Sequence, residues 1–169
     1  MTRRFGSRAA VAVAITIIGL AAPAAGQPVP SDFALHAEAG ARLPAVSVGR
    51  IDVAGTTATT AVVPPEGRAT GTATVTGTVP LATTALQCLY DAVIAAGSLA
   101  ATSPADPGVH DGTYAVVRIT AGGATHTLVA RNQAFEPIDD VIRRLNALVP
   151  AGAQLHYNAI AGSPAVPCP

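Results

Sequence analysis

The chain has 169 residues, and its ten basic residues, all of them arginines, balance ten aspartates and glutamates. Three of the ten arginines lie in residues 1–26, which leaves seven basic against ten acidic residues in the remainder. A mildly acidic remainder has no basic patch that could hold a phosphate backbone. The composition therefore excludes nucleic acid as a partner.

The N-terminal segment, residues 1–26, has the pattern of a cleavable secretory signal. Its three arginines, with no acidic residue, precede an apolar run from Ala9 to Ala22. That run is shorter than the roughly 20 apolar residues that span a bilayer, and small residues suited to signal peptidase follow it. We predict cleavage after Ala24 or Gly26, with an uncleaved anchor as the alternative. The processed protein is then secreted or periplasmic, without stable membrane insertion.

The exported part is long enough for one domain with one core. We predict a Pro-rich leader over 27–31, the domain over 32–150 and a C-terminal tail over 151–169. The two cysteines, Cys88 and Cys168, are an even count in an oxidising compartment, which predicts one disulfide. No histidine lies at ligand spacing from either cysteine, which disfavours a metal site there.

Alternating stretches predict the first two strands. Residues 32–40 place His36 and Glu38 on one face and apolar side chains on the other, which is the period of a half-buried strand. The apolar face comprises Phe33, Leu35, Ala37 and Ala39. A second strand is predicted over 46–53, and Gly55 closes it.

The pattern is weaker after this point. The Thr/Ala run at 56–61 can extend a strand, and the prolines and glycine of 62–67 predict a turn. Residues 70–79 then alternate cleanly, with threonines on one face, and predict the third strand. Its other face, which we expect to be half-buried against the core, comprises Ala73, Val75 and Val79.

A helix is predicted next, capped by Thr83 or Thr84 and ending near Gly97. Its apolar stripe comprises Leu86, Leu89, Tyr90, Val93 and Ile94. At about 100° per residue, Cys88 projects away from this stripe. A disulfide to Cys168 would then hold the C-terminal tail across the outer surface of the helix.

Gly and Pro residues predict a loop over 101–112, and strands over 113–120 and 125–131 form a hairpin about Gly122-Gly123. A second helix begins at Pro137, and four of its charged residues are expected on a solvated face. Those residues are Asp139, Asp140, Arg143 and Arg144. The element order β-β-β-α-β-β-α predicts an α+β fold, in which two helices cover one face of a small antiparallel sheet.

No motif points to a catalytic, metal or cofactor site. The four histidines are scattered over separate elements, and no serine lies in a Gly-x-Ser-x-Gly context. The glycine pair lies between strands instead of before a helix, so no phosphate loop is predicted. A hydrolytic enzyme would have to use His36 with Glu38, or His110 with Asp111, because these are the local histidine and carboxylate pairings.

The second half of the predicted domain contains a run of motifs that can be compared with a known family. The run comprises the stretch from Gly108 through Tyr114-Ala-Val-Val-Arg-Ile, the Gly-Gly turn, Thr125-His-Thr-Leu-Val and the helix from Pro137 to Leu148. Taken together, it resembles the C-terminal half of emfourin-like inhibitors. The resemblance implies a small bacterial protein that blocks thermolysin-type metalloproteases. The family's glycine-rich N-terminal segment has only residues 39–42 as a counterpart, which puts the inhibitory contact in doubt.

Two functions are therefore in competition. The first is a binding module for another exported protein, such as a protease, with no cofactor. Its contacts are expected in the loops 40–45 and 101–112, at Gly40, Ala41, Arg42, Asp106, His110 and Asp111. The alternative is a small hydrolase with a His/carboxylate site, or an exported protein with a structural role.

Overall fold

The computed structural model of the chain describes residues 26–41, 46–65, 70–108 and 112–157. These residues form an antiparallel sheet of six strands and two α-helices, which confirms the α+β class. In chain order the elements are β1 (Ala34–Ala41), β2 (Val48–Ala54), β3 (Thr57–Val63), β4 (Thr74–Pro80), α1 (Thr83–Ala95), β5 (Thr113–Ala121), β6 (Ala124–Arg131) and α2 (Glu136–Leu148). A short 3-10 turn, Ala151–Ala153, follows α2.

The strands lie in the order β4-β3-β2-β1-β5-β6, and every neighbouring pair is antiparallel. One face of the sheet packs against both helices and forms the core with their apolar sides. Leu35 and Ala37 of the central strand β1 are 1% and 0% exposed, as the alternation predicts. His36 and Glu38 therefore lie on the opposite face, which we call the open face.

The predicted element order is wrong by one strand, because four strands and not three precede α1. The Thr/Ala run that was expected only to extend a strand is a separate strand, β3. Ala54 pairs with Thr57, so Gly55 and Thr56 form a two-residue turn between β2 and β3. Gly55 has φ +55°, the left-handed conformation that favours glycine in such hairpins.

The burial expected for Val75 on β4 is also wrong. The β3–β4 register shifts between Thr60 and Ala61, so that Thr76 is an extra residue in the ladder. Since successive strand residues face opposite sides, one extra residue reverses the faces of everything beyond it. Val79 still packs against the core, whereas Val75 is 62% exposed.

Two expectations about the helices need correction. The N-cap of α1 is Ala82 and makes no side-chain cap bond, so neither threonine fills that position. Asp139 on α2 is not on a solvated face, since it is only 4% exposed. Its Oδ2 accepts a hydrogen bond from the Phe135 amide at 3.2 Å, which satisfies an amide at the helix N-terminus.

Cys88 does not face outward as expected. It is half-buried, and its Sγ lies 3.6 Å from Nη1 of Arg144 on α2, so it faces the neighbouring helix. Residues 26 and 27 also contact α1: Gly26 N donates to Asp91 at 3.1 Å, and Gln87 Nε2 donates to the Gln27 carbonyl at 2.8 Å. Cys168 lies outside the described residues, so the disulfide stays a prediction.

The core continues past residue 150. Leu155 and Tyr157 are 1% and 0% exposed, and both belong to the same apolar cluster as the helices and strands. The segment 154–157 is thus part of the packed structure. Among the described residues, no helix combines the length and the apolar character that crossing a bilayer requires.

Candidate functional site

The sheet brings the beginning of one predicted contact region next to the end of the other. In the β1–β5 ladder, Gly40 pairs with Tyr114 and Ala41 pairs with Thr113. The end of β1 is therefore adjacent to the residues that follow loop 101–112. Gly40 and Ala41 are the last residues of β1 and not a loop. Of the other predicted contact residues, only Asp106 is described, since Arg42, His110 and Asp111 lie outside the described residues.

The segment 103–106 is bound to the free edge of β6. Val129 N donates to Ser103 Oγ at 2.9 Å, and Gln133 Nε2 donates to the Ala105 carbonyl at 2.8 Å. Because β6 is the last strand in the sheet order, its outer backbone groups need partners from outside the ladder. Ser103 supplies the partner for the Val129 amide, and the same hydrogen bond fixes the segment in place.

Asp106 fixes the next part of this loop through both of its carboxylate oxygens. Oδ1 accepts from the Gly108 amide at 3.0 Å, and Oδ2 lies 3.2 Å from Arg131 Nη1. The two side chains are about 40% exposed, so the ion pair stabilises the fold by no more than ~1 kcal/mol. Its effect is to hold residues 106–108 in one orientation relative to β6.

The loop is also fixed where it enters β5. Thr113 N donates to Asn132 Oδ1 at 2.8 Å, and Asn132 N donates to the Thr113 carbonyl at 3.0 Å. Asn132 itself has φ +52°, which asparagine tolerates better than most residues. Gly112 has φ +119°, and a Cβ there would lie 1.8 Å from Asn132 Oδ1, so only glycine fits. Apart from the glycine itself, no local sequence pattern indicates this pair.

A second group of polar side chains lies on the open face, in the middle of the sheet. His36 Nδ1 is 2.7 Å from Asp52 Oδ1, and Arg50 Nε is 2.6 Å from Asp52 Oδ2. Burial alone would raise the pKa of Asp52. The hydrogen bonds from His36 and Arg50, together with the charge of Arg50, outweigh burial and hold that pKa below its ordinary value.

This geometry changes the histidine pairing that a hydrolase would need. Cross-strand neighbours have Cβ atoms about 5 Å apart, closer than residues two apart on one strand, at roughly 6.6 Å. His36 therefore bonds to Asp52, and the expected pairing with Glu38 is wrong. Glu38 instead accepts a hydrogen bond from the Tyr114 hydroxyl. The pairing of His110 with Asp111 lies outside the described residues.

The His36–Asp52 pair orients an imidazole that can exchange a proton. Two serine hydroxyls that could act as nucleophiles have other bonds: Ser98 Oγ donates to the Pro137 carbonyl, and Ser103 Oγ accepts from Val129 N. Within the described ranges, no three His, Cys, Asp or Glu side chains come together as a metal site.

No protein-family model matches this chain, and no curated protein matches it. The resemblance to emfourin-like inhibitors thus stays a prediction. The fold and the site define a small α+β domain with an anchored loop beside a polar sheet face.

Proposed function

We propose that the protein is an exported binding module that recognises another exported protein through loop 101–112 and the adjacent end of β1. The observation that supports this proposal is the anchoring of the loop, through Ser103, Ala105 and Asp106. A loop held in one conformation before binding loses less conformational entropy in the complex, which raises affinity. The surface next to the loop includes Tyr114, of a residue type enriched in protein interfaces.

The residue types in the loop support the same function. Pro104 and Pro107 restrict the backbone on either side of Asp106, and the Asp106 side chain closes a local turn to Gly108. The pre-organised interfaces of protease–inhibitor complexes change little on binding. A protease is the partner that we propose to test first, because the resemblance to protease inhibitors implies it.

The proposal includes export and a disulfide between Cys88 and Cys168. An oxidising compartment permits the bond, and a closed loop of about 80 residues contributes roughly 4 to 5 kcal/mol in the chain-entropy model. Cys88 lies beside Arg144 between α1 and α2, so the bond would hold the C-terminal segment near the contact of the two helices. Mass spectrometry of the mature protein tests both the cleavage site and this disulfide.

The proposed function is tested by capture of exported proteins on the oxidised, processed chain, followed by mass spectrometry. The chain offers a matched pair of variants, since Asp106 and Asp140 each bind an arginine, at 3.2 and 3.1 Å. We expect the wild-type protein and Asp140→Ala to retain the same partner, and Asp106→Ala to retain at least tenfold less of it. A wild-type protein that retains nothing, or an Asp106→Ala variant that binds like wild type, would overturn the proposal.

A further inference from the structure

A shallow depression of about 170 Å³ opens on the face of the sheet that the helices do not cover. Its residues with ionisable side chains are His36, Asp52 and Arg118, and the others include Ala34, Ala54 and Thr120. The depression lies toward the hairpin turns, away from the end of the sheet where loop 101–112 enters β5. It therefore has no part in the binding function proposed above.

The sheet register builds this depression from three adjacent strands. Asp52 of β2 pairs with His36 of β1, which in turn pairs with Arg118 of β5, so the three side chains form one row. In the next row on the same face, Ala34 lies between Ala54 and Thr120. Small side chains beside a row of long ones leave a hollow that the long ones border.

The charged groups at this hollow differ in how many of their hydrogen-bonding atoms already have partners. Both oxygens of Asp52 already accept bonds, one from His36 and one from Arg50. Arg118 is exposed, and among the described residues no acidic side chain forms an ion pair with it. Glu38, the other carboxylate on this part of the open face, accepts a hydrogen bond from the Tyr114 hydroxyl. Arg118 is thus the cation at this hollow whose hydrogen-bond donors no described acidic side chain occupies.

We propose that this depression binds a carboxylate, with Arg118 as its principal ligand. A guanidinium presents two parallel N–H groups that match the two oxygens of a carboxylate. The volume is smaller than the roughly 300 to 1,000 Å³ of pockets that hold drug-sized molecules. The ligand is accordingly a small carboxylic acid, or one acidic side chain presented by a polypeptide.

NMR titration of the isotope-labelled, processed chain tests this site with defined probes. Sodium acetate represents a free carboxylate, and N-acetyl-glutamate amide represents one carried by a peptide. Acetamide and sodium chloride at equal concentration control for shape and for ionic strength. We expect saturable shifts of the Ala34, Ala54 and Thr120 amides with both carboxylates and none with the controls.

A matched pair of variants identifies the ligand residue. Arg118→Gln should weaken acetate binding at least tenfold, whereas Arg131→Gln, on the neighbouring strand and paired with Asp106, should leave it unchanged. Dispersed amide spectra show that both variants fold, as expected for side chains at the surface. Binding of the glutamate probe at least tenfold tighter than acetate would identify a polypeptide source, and equal affinities would identify the free acid.

Three results would overturn the proposal: no saturable shift with either carboxylate, the same shifts with acetamide or chloride, or unchanged acetate binding in Arg118→Gln. The test is independent of loop 101–112. A failed capture experiment with a positive titration would remove the binding module and leave the carboxylate site, and the reverse result would do the opposite.

Discussion

Asn146, near the end of α2, holds the backbone of Leu155 with a pair of hydrogen bonds. Its Nδ2 donates to the Leu155 carbonyl at 2.9 Å, and its Oδ1 accepts from the Leu155 amide at 2.7 Å. Asn146 and Leu155 are 8% and 1% exposed, so water cannot replace these bonds. The Asn146 side chain thus satisfies both backbone groups of Leu155 where the segment 154–157 packs into the core.

We predict that Asn146→Ala lowers the free energy of unfolding by about 2 to 4 kcal/mol. Two buried backbone groups would lose their partner, and each unsatisfied group costs about 1 to 3 kcal/mol. Urea denaturation measures the change. Gln154→Ala is the control in the same segment, because it removes one partly exposed bond to the Asn146 carbonyl and should cost less than about 1 kcal/mol. Equal losses in both variants would contradict the role given to Asn146.

The burial of Asp139 gives a prediction about pH. Burial raises the pKa of Asp139, and the hydrogen bond from the Phe135 amide only partly opposes this. The folded state therefore favours the protonated form of Asp139. The stabilisation by this protonated side chain is present at low pH and is lost as the pH rises through the raised pKa.

We predict that Asp139→Asn removes this loss, because the amide is uncharged and its oxygen can still accept the Phe135 bond. The variant should gain about 1 kcal/mol relative to wild type between pH 3.5 and pH 7. Urea denaturation across that range measures the difference, with Asp140→Asn as control at the neighbouring half-buried position, where the carboxylate is paired with Arg143. A difference between Asp139→Asn and wild type that does not change with pH would contradict the explanation.

The sequence predicts those parts of the fold whose signals are local. The stripe of α2, the Gly122-Gly123 hairpin and the buried face of β1 all follow from periodicity or turn chemistry. The sequence does not indicate β3 as a separate strand, because its Thr/Ala composition has little apolar contrast. It does not indicate the bulge at β4 either, because the alternation of 70–79 continues through it and only pairing with β3 shows the shift.

The site depends even more on pairing. Whether His36 bonds to Glu38 or to Asp52 is decided by the register between β1 and β2, which no residue near His36 encodes. The buried Asp139 looks like part of a solvated helix face because its spacing to Arg143 is that of a surface ion pair. In the structure, Arg143 bonds to Asp140 and Glu136 instead.

The His36–Asp52–Arg50 group gives the opposite pH dependence to Asp139. The pKa of Asp52 is lowered in the folded state. The ionised carboxylate therefore stabilises the fold at pH values above the ordinary pKa of aspartate, and this stabilisation is lost as the pH falls through the lowered pKa. We predict that Asp52→Asn costs about 1 kcal/mol at pH 7, a small effect because solvent screens half-buried pairs. The cost should decrease at pH values below about 4. Thermal unfolding at several pH values measures it, and an equal cost at every pH would show that shape, not charge, is responsible.

Gly112 is a position in the anchored loop at which an added side chain meets a clash. Gly112→Ala would place a Cβ 1.8 Å from Asn132 Oδ1 at a φ of +119°, so the substitution must displace Asn132 and its bond to the Thr113 amide. We predict a loss of about 2 kcal/mol or more in stability, with faster hydrogen exchange at the Thr113 amide. Gly108→Ala is the matched control, because its φ is also positive, at +74°, but no atom lies within 4 Å of the added Cβ. That variant should cost only about 1 to 2 kcal/mol and leave the exchange of Thr113 unchanged.

A second substitution separates the clash from the backbone strain. In Gly112→Ala combined with Asn132→Ala, the added Cβ no longer meets the Asn132 side chain, but the strained φ remains. We expect the two losses to be less than additive, as is normal for residues in contact. Two results would mean that Asn132 does not hold the entry to β5: strict additivity of the two losses, or an unchanged Thr113 exchange rate in Gly112→Ala. Asn132 would then not be one of the contacts that make the loop rigid.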